Sequence, residues 1–87
     1  MNAVIGYDIG SVNVELLRTS FPEIEFEVCL AEDALARAAP RMEVLFSKTA
    51  FRPAVTDAPR LRWVQAGTAG VEHWLETDIL ARGVRLT

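Results

Sequence analysis

The sequence predicts an α/β fold built on a parallel sheet. Three observations carry that expectation. Short apolar or alternating runs of strand length recur at residues 3–7, 23–29, 42–47, 60–66 and 84–87. Segments with helical composition, or with room for a helix, lie between them. Glycine, proline or a capping side chain marks the junctions. Regular alternation of strand and helix implies right-handed crossovers and helices on both faces of one sheet.

In chain order, Ala3-Val4-Ile5-Gly6-Tyr7 is an apolar run stopped by Asp8 and Gly10, and reads as a buried strand. Ser11 is the expected cap of a helix running to about Thr19. Val12 and Leu16 share one of its faces, with Val14 and Leu17 beside them, and Pro22 follows where the helix must stop. Residues 23–29 alternate strictly, with Ile24, Phe26 and Val28 on one side and Glu23, Glu25 and Glu27 on the other. A strand with one charged face belongs at a sheet edge. Its three carboxylates read as a solvated face, not a cation site, because same-face neighbours sit roughly 7 Å apart and point outward.

Residues 31–39 are alanine-rich and include Leu35. They predict a short helix ended by Pro40, with Glu32 and Asp33 in the first turn where the dipole favours them. Met42 to Ser47 is the third strand. An irregular connection from Lys48 to Pro59 contains Pro53 and Pro59 and has room for one short helix. Arg60 to Ala66 is the fourth strand. A helix from Val71 to about Glu76 follows, then a second that opens at Thr77-Asp78 and closes with Gly83 as its C-terminal cap. Val84 to Thr87 is the fifth strand.

With the charged strand at an edge, the strand order 2-1-3-4-5 follows, that of a flavodoxin-like three-layer sandwich. A complete fold of this order has a fifth helix beside the first, and here that final helix is missing. The face carried by strands three, four and five is therefore expected to be partly bare. The remainder of a longer parent chain, or self-association, would cover it.

Composition narrows the function classes. A length of 87 residues makes one small domain, and 51% hydrophobic with 24% charged residues describes a folded chain. A net charge of -3, with arginines scattered and not striped, argues against a nucleic-acid partner. Cys29 is the sole cysteine, so no internal disulfide forms and a reducing cytoplasm is the expected setting. No run reaches membrane-spanning length and the start lacks a basic leader, so no membrane partner is expected.

The stretch with chemical promise runs from Leu61 to Leu75. A strand holding Trp63 and Val64 feeds a turn with Gly67 and Gly70, then a helix start. The glycines leave main-chain N–H groups uncovered. Thr68 is a plausible cap and Glu72 sits in the opening helical turn. Such a turn suits a small anion, a carboxylate or a phosphate, although turn geometry alone also uses this spacing. Lys48 and Thr49 after strand three, and Asp8 and Gly10 after strand one, belong to the same rim.

Other chemistries lack their residues. A phosphorylatable receiver domain needs an acidic pair after strand one and an aspartate after strand three, but Asp8 stands alone and residues 46–49 contain no aspartate. Ser11, Ser20 and Ser47 lie in no nucleophile elbow. Cys29 and His73, far apart in sequence, make no metal site. Cys29, Trp63 and Trp74 read as packing residues.

Pro59 to Gln65, then Ala69-Gly70-Val71-Glu72-His73, then Ile79 to Thr87 together resemble the D-isomer-specific 2-hydroxyacid dehydrogenases, and most nearly the glyoxylate/hydroxypyruvate reductase branch. The resemblance implies that residues 1–87 are the N-terminal segment of the substrate (catalytic) domain. The backbone amides of Ala69 and Gly70, with Val71 beside them, would hold the carboxylate of a small 2-keto or 2-hydroxy acid. Lys48 and Thr49 would border the same cleft. The parent would be an oxidoreductase using NAD or NADP.

The departures are as informative. Family members are several times longer, and their cofactor-binding domain, with its G-x-G-x-x-G turn, would begin well after Thr87. The catalytic arginine, glutamate and histidine also come from later segments. This segment is therefore expected to bind no cofactor, to contain no catalytic residue and to be inactive alone. His73 falls beside the carboxylate loop and reads as a helix-face residue. The chain would be a truncation, a proteolytic remnant or a split reading frame. The alternative is a stand-alone flavodoxin-like module that binds small carboxylates or a partner without catalysis.

Overall fold

The computed structural model describes residues 1–47, 58–66 and 81–87. Five strands form one sheet: β1 (Asn2–Ile5), β2 (Glu25–Val28), β3 (Val44–Ser47), β4 (Trp63–Ala66) and β5 (Arg85–Leu86). Every neighbouring pair is parallel, in the order β2-β1-β3-β4-β5. The predicted architecture is thus the observed one. Two α-helices, α1 (Ser11–Ser20) and α2 (Glu32–Ala38), are described, and a 3-10 turn over Ala39–Arg41 follows α2. The helices expected within residues 48–57 and 71–80 lie outside the described residues.

Period-two alternation splits the core into two layers. Val4, Leu45 and Val64, all fully buried, face α2 and meet Leu35, Ala38 and Met42. Ala3, Ile5, Phe26 and Val44 face the other way and meet Val14 of α1, with Leu17, Ile24 and Phe46 packed beside them. Because both faces of β1 are covered, that strand reads as a continuous apolar run, whereas Phe46 of β3 is only half-buried. Only β2 alternates with charge, and it is an edge.

The start of α1 differs from the sequence reading. Ser11 is the first helical residue and not the cap; Gly10 is the cap, with φ 87° and ψ 145°. The chain has to pass through positive φ there, which glycine does without a Cβ penalty. No side chain caps the helix, but the Asp8 carboxylate accepts the Gly10 N–H at 2.8 Å and stabilises the turn that leads in. Two apolar pairs competed for the inner face of α1. Val14 and Leu17 take it, whereas Val12 and Leu16 are exposed.

Edge strand β2 is tied down through its charged side. Arg41 donates from Nε to Glu27 Oε2 at 2.8 Å and from Nη2 to Glu27 Oε1 at 2.5 Å. This two-pronged pair links the edge to the turn after α2. The observed strands are shorter than the apolar runs that announced them. Arg62, for example, already donates its N–H to the Glu43 carbonyl at 2.8 Å one residue before β4 begins.

Candidate functional site

Parallel pairing brings the carboxyl ends of the strands to one rim, and sheets of this order bind ligands there. Register decides which segments leave that rim together. Ile5 pairs with Phe46, and Ser47 with Ala66. The chain therefore enters residues 6–10, 48–57 and 67–80 from neighbouring positions on three adjacent strands. Lys48, Thr49, Ala69, Gly70 and Val71 all lie in the latter two segments, as do Gly67, Thr68, Glu72, His73 and Trp74. These residues fall outside the described ones. What the structure brings together is their points of departure.

The described part of the rim is tight. Gly6 donates its N–H to the Phe46 carbonyl at 2.7 Å. A Cβ built on Gly6 would stand 3.1 Å from that same oxygen and 3.6 Å from the Ser47 side chain. Glycine is thus needed for close approach of β1 to β3, not for its φ. Ser47 is fully buried at this point.

At the next corner, the Asp8 carboxylate already occupies the Gly10 amide before α1. A phosphate arriving there would meet a like charge in the place where a dinucleotide needs bare N–H groups. The glycines of this turn, Gly6 and Gly10, also lack the G-x-G-x-x-G spacing. The described residues do not fit a nicotinamide dinucleotide.

One side chain differs from its reading as a simple packing residue. Trp63 remains 37% exposed; its ring lies tilted against Phe46, with centroids 6.4 Å apart. Its indole N–H donates to Thr87 Oγ1 at 2.8 Å, and the Thr87 hydroxyl donates to Gln65 Oε1 at 2.8 Å. This polar chain joins β4 to the residue after β5. The partner, Thr87, is 24 residues away, so no local pattern could have announced it. Cys29 is buried as expected. Burial pushes its thiol above the ordinary value and Glu27 adds to that, while Arg41 and Arg37 oppose it. A thiol held protonated is no nucleophile. Among the described residues no group of three or more His, Cys, Asp or Glu is placed to hold a metal. Among them, too, no helix is long and apolar enough to cross a membrane.

Comparison with known proteins adds the fold's relatives. No family model and no curated protein matches the sequence. Among solved structures, the chain is similar to phosphoglycerate dehydrogenase from Lactobacillus plantarum. The TM-score is 0.74 at 20% identity, over 99% of this chain and 28% of that one. It is also similar to the NAD-dependent formate dehydrogenase from Staphylococcus aureus, solved in complex with NAD. There the TM-score is 0.66 at 18% identity, over 93% of this chain and 29% of that one. Both are members of the D-2-hydroxyacid dehydrogenase family, the family that the sequence resembles. At these identities the likeness establishes a common fold, and the chain spans under a third of either neighbour's length.

Proposed function

We propose that residues 1–87 form the N-terminal segment of the substrate domain of an NAD(P)-dependent D-2-hydroxyacid dehydrogenase, and that they supply the loop gripping the substrate carboxylate. The observation that carries this reading is the overlay on the phosphoglycerate dehydrogenase fold, which takes in 99% of this chain. The family-like run from Pro59 to Thr87 supports it independently of geometry.

In this reading the amides of Ala69 and Gly70 donate to the carboxylate of a small 2-keto acid such as glyoxylate or hydroxypyruvate. Val71 follows them into the helix, and Lys48 and Thr49 border the cleft. Hydrogen bonds to a charged acceptor contribute about 1.5–3 kcal/mol each. Two of them sum to roughly 3–6 kcal/mol, which corresponds to a dissociation constant between a few millimolar and some tens of micromolar. That is enough to orient an acid. A nicotinamide, NAD or NADP, held by later polypeptide would supply the hydride, and this segment contributes orientation only. A reducing cytoplasm suits the single buried thiol.

The test is titration of the 15N-labelled chain with glyoxylate. The Ala69 and Gly70 amide resonances should shift with a midpoint between a few millimolar and some tens of micromolar, and acetamide should leave them in place. Shifts centred elsewhere, or none, overturn the reading. An NADPH absorbance assay with glyoxylate should show no turnover by this chain. Coding sequence continuing in frame past the Thr87 codon into a glycine-rich strand-turn-helix favours the enzyme; a native stop codon there favours the stand-alone module.

A further inference from the structure

Among the described residues, edge strand β2 has a single strand neighbour, β1. Its backbone alternates in direction. Glu25 donates its N–H to the Met1 carbonyl at 2.8 Å and Cys29 donates to the Ile5 carbonyl at 2.9 Å, so the odd-numbered residues bond inward. In a parallel ladder the N–H and C=O of one residue point to the same side. Phe26 and Val28 therefore turn their backbone groups outward, where a further strand would pair.

Charge alone protects this edge poorly. The Glu27 carboxylate is already neutralised by the two-pronged bond from Arg41. Val28, and Leu30 just beyond it, stand exposed at the same edge. Apolar side chains beside open backbone groups invite strand addition. A second copy of the chain is the fitting occupant, because a two-fold axis sets the outward groups of one β2 against those of another.

One side chain stands in the way. Arg18, in the last turn of α1, donates from Nη2 to the Phe26 carbonyl at 3.3 Å. Its Nη1 donates to Glu15 Oε1 at 3.2 Å, which holds the guanidinium from one turn earlier on the same helix. A helix-borne side chain thus takes an acceptor that a strand would need.

We propose that Arg18 guards the β2 edge: its guanidinium occupies the outward Phe26 carbonyl and blocks the antiparallel addition of a second copy's β2.

The test is sedimentation of the 87-residue chain with amide hydrogen exchange read residue by residue. Arg18→Ala should dimerise about tenfold or more tightly than the parent, since each copy of the parent must first give up this bond. In that dimer the Phe26 and Val28 amides should exchange about tenfold more slowly than in the parent. Adding Val28→Pro removes an outward N–H without touching the ladder to β1, and should return the variant to monomer. If Arg18→Ala folds poorly, Arg18→Met keeps an apolar stem without donors and reads the same. Equal association of parent and variant overturns the proposal. So does a dimer in which the Phe26 and Val28 amides still exchange freely, or one that survives Val28→Pro.

Discussion

Replacing Gly10 with alanine isolates the conformational demand made by the entry to α1. Gly10 has φ 87° and ψ 145°, a combination that L side chains avoid. A Cβ there would meet nothing within 4 Å, so the whole cost is backbone strain and none is steric crowding by neighbours. Such strain costs about 1–3 kcal/mol. Alanine also restricts the unfolded chain and returns about 0.4–1 kcal/mol. The net loss is then about 1–2 kcal/mol, against a total for 87 residues of roughly 4–13 kcal/mol. For a domain of this size that lowers Tm by roughly 5–15 °C. Differential scanning calorimetry measures it directly. Asparagine should give no relief, because it tolerates the left-handed helical region and not an extended ψ. A Gly10→Ala chain melting within about 2 °C of the parent would refute the argument.

Three further outcomes follow from the packing. Leu45→Ala empties a fully buried position on central strand β3 and should cost about 2–5 kcal/mol, read from the urea midpoint. Gly6→Ala places a methyl 3.1 Å from a carbonyl that the Gly6 N–H itself holds; it should destabilise by about 1 kcal/mol or more, and the Gly6 amide should exchange faster with deuterium. Cys29 keeps its proton in the fold where the unfolded chain would lose it, since burial and Glu27 raise its value above 9.0. The folded state then binds more protons as pH climbs past the ordinary thiol value, so stability falls on the alkaline side and is untouched below it. Urea midpoints across that range should decline for the parent and decline less for Cys29→Ser.

Patterns that depend on near neighbours in sequence were legible, and partnerships at long range were not. The glutamates of residues 23–27 identified the edge strand, and from that edge the strand order followed. The apolar run of β1 announced burial on both faces. The inner face of α1 could not be read, because Val12 with Leu16 and Val14 with Leu17 are equally apolar pairs, and docking on Ile5 and Phe26 chose between them. Ser11 looked like a cap because its residue type favours that position, but the positive φ needed one residue earlier put Gly10 there. Trp63 looked like core because aromatic residues favour strands; its exposure depends on what lies across the sheet face. For the candidate site, sequence indicated the loop and the rim. The structure adds that the two segments carrying it set out from paired residues.

That pairing also bears on how the two segments after β3 and β4 could diversify. Sliding β4 by a single residue along β3 would turn Val64 out into solvent and Trp63 in toward α2, so the ladder admits no gradual adjustment. Lengthening either excursion leaves Ser47 and Ala66 side by side, and doubling a loop costs only about 0.6 kcal/mol. Insertions and deletions after these two residues are therefore cheap changes, with the scaffold underneath held constant.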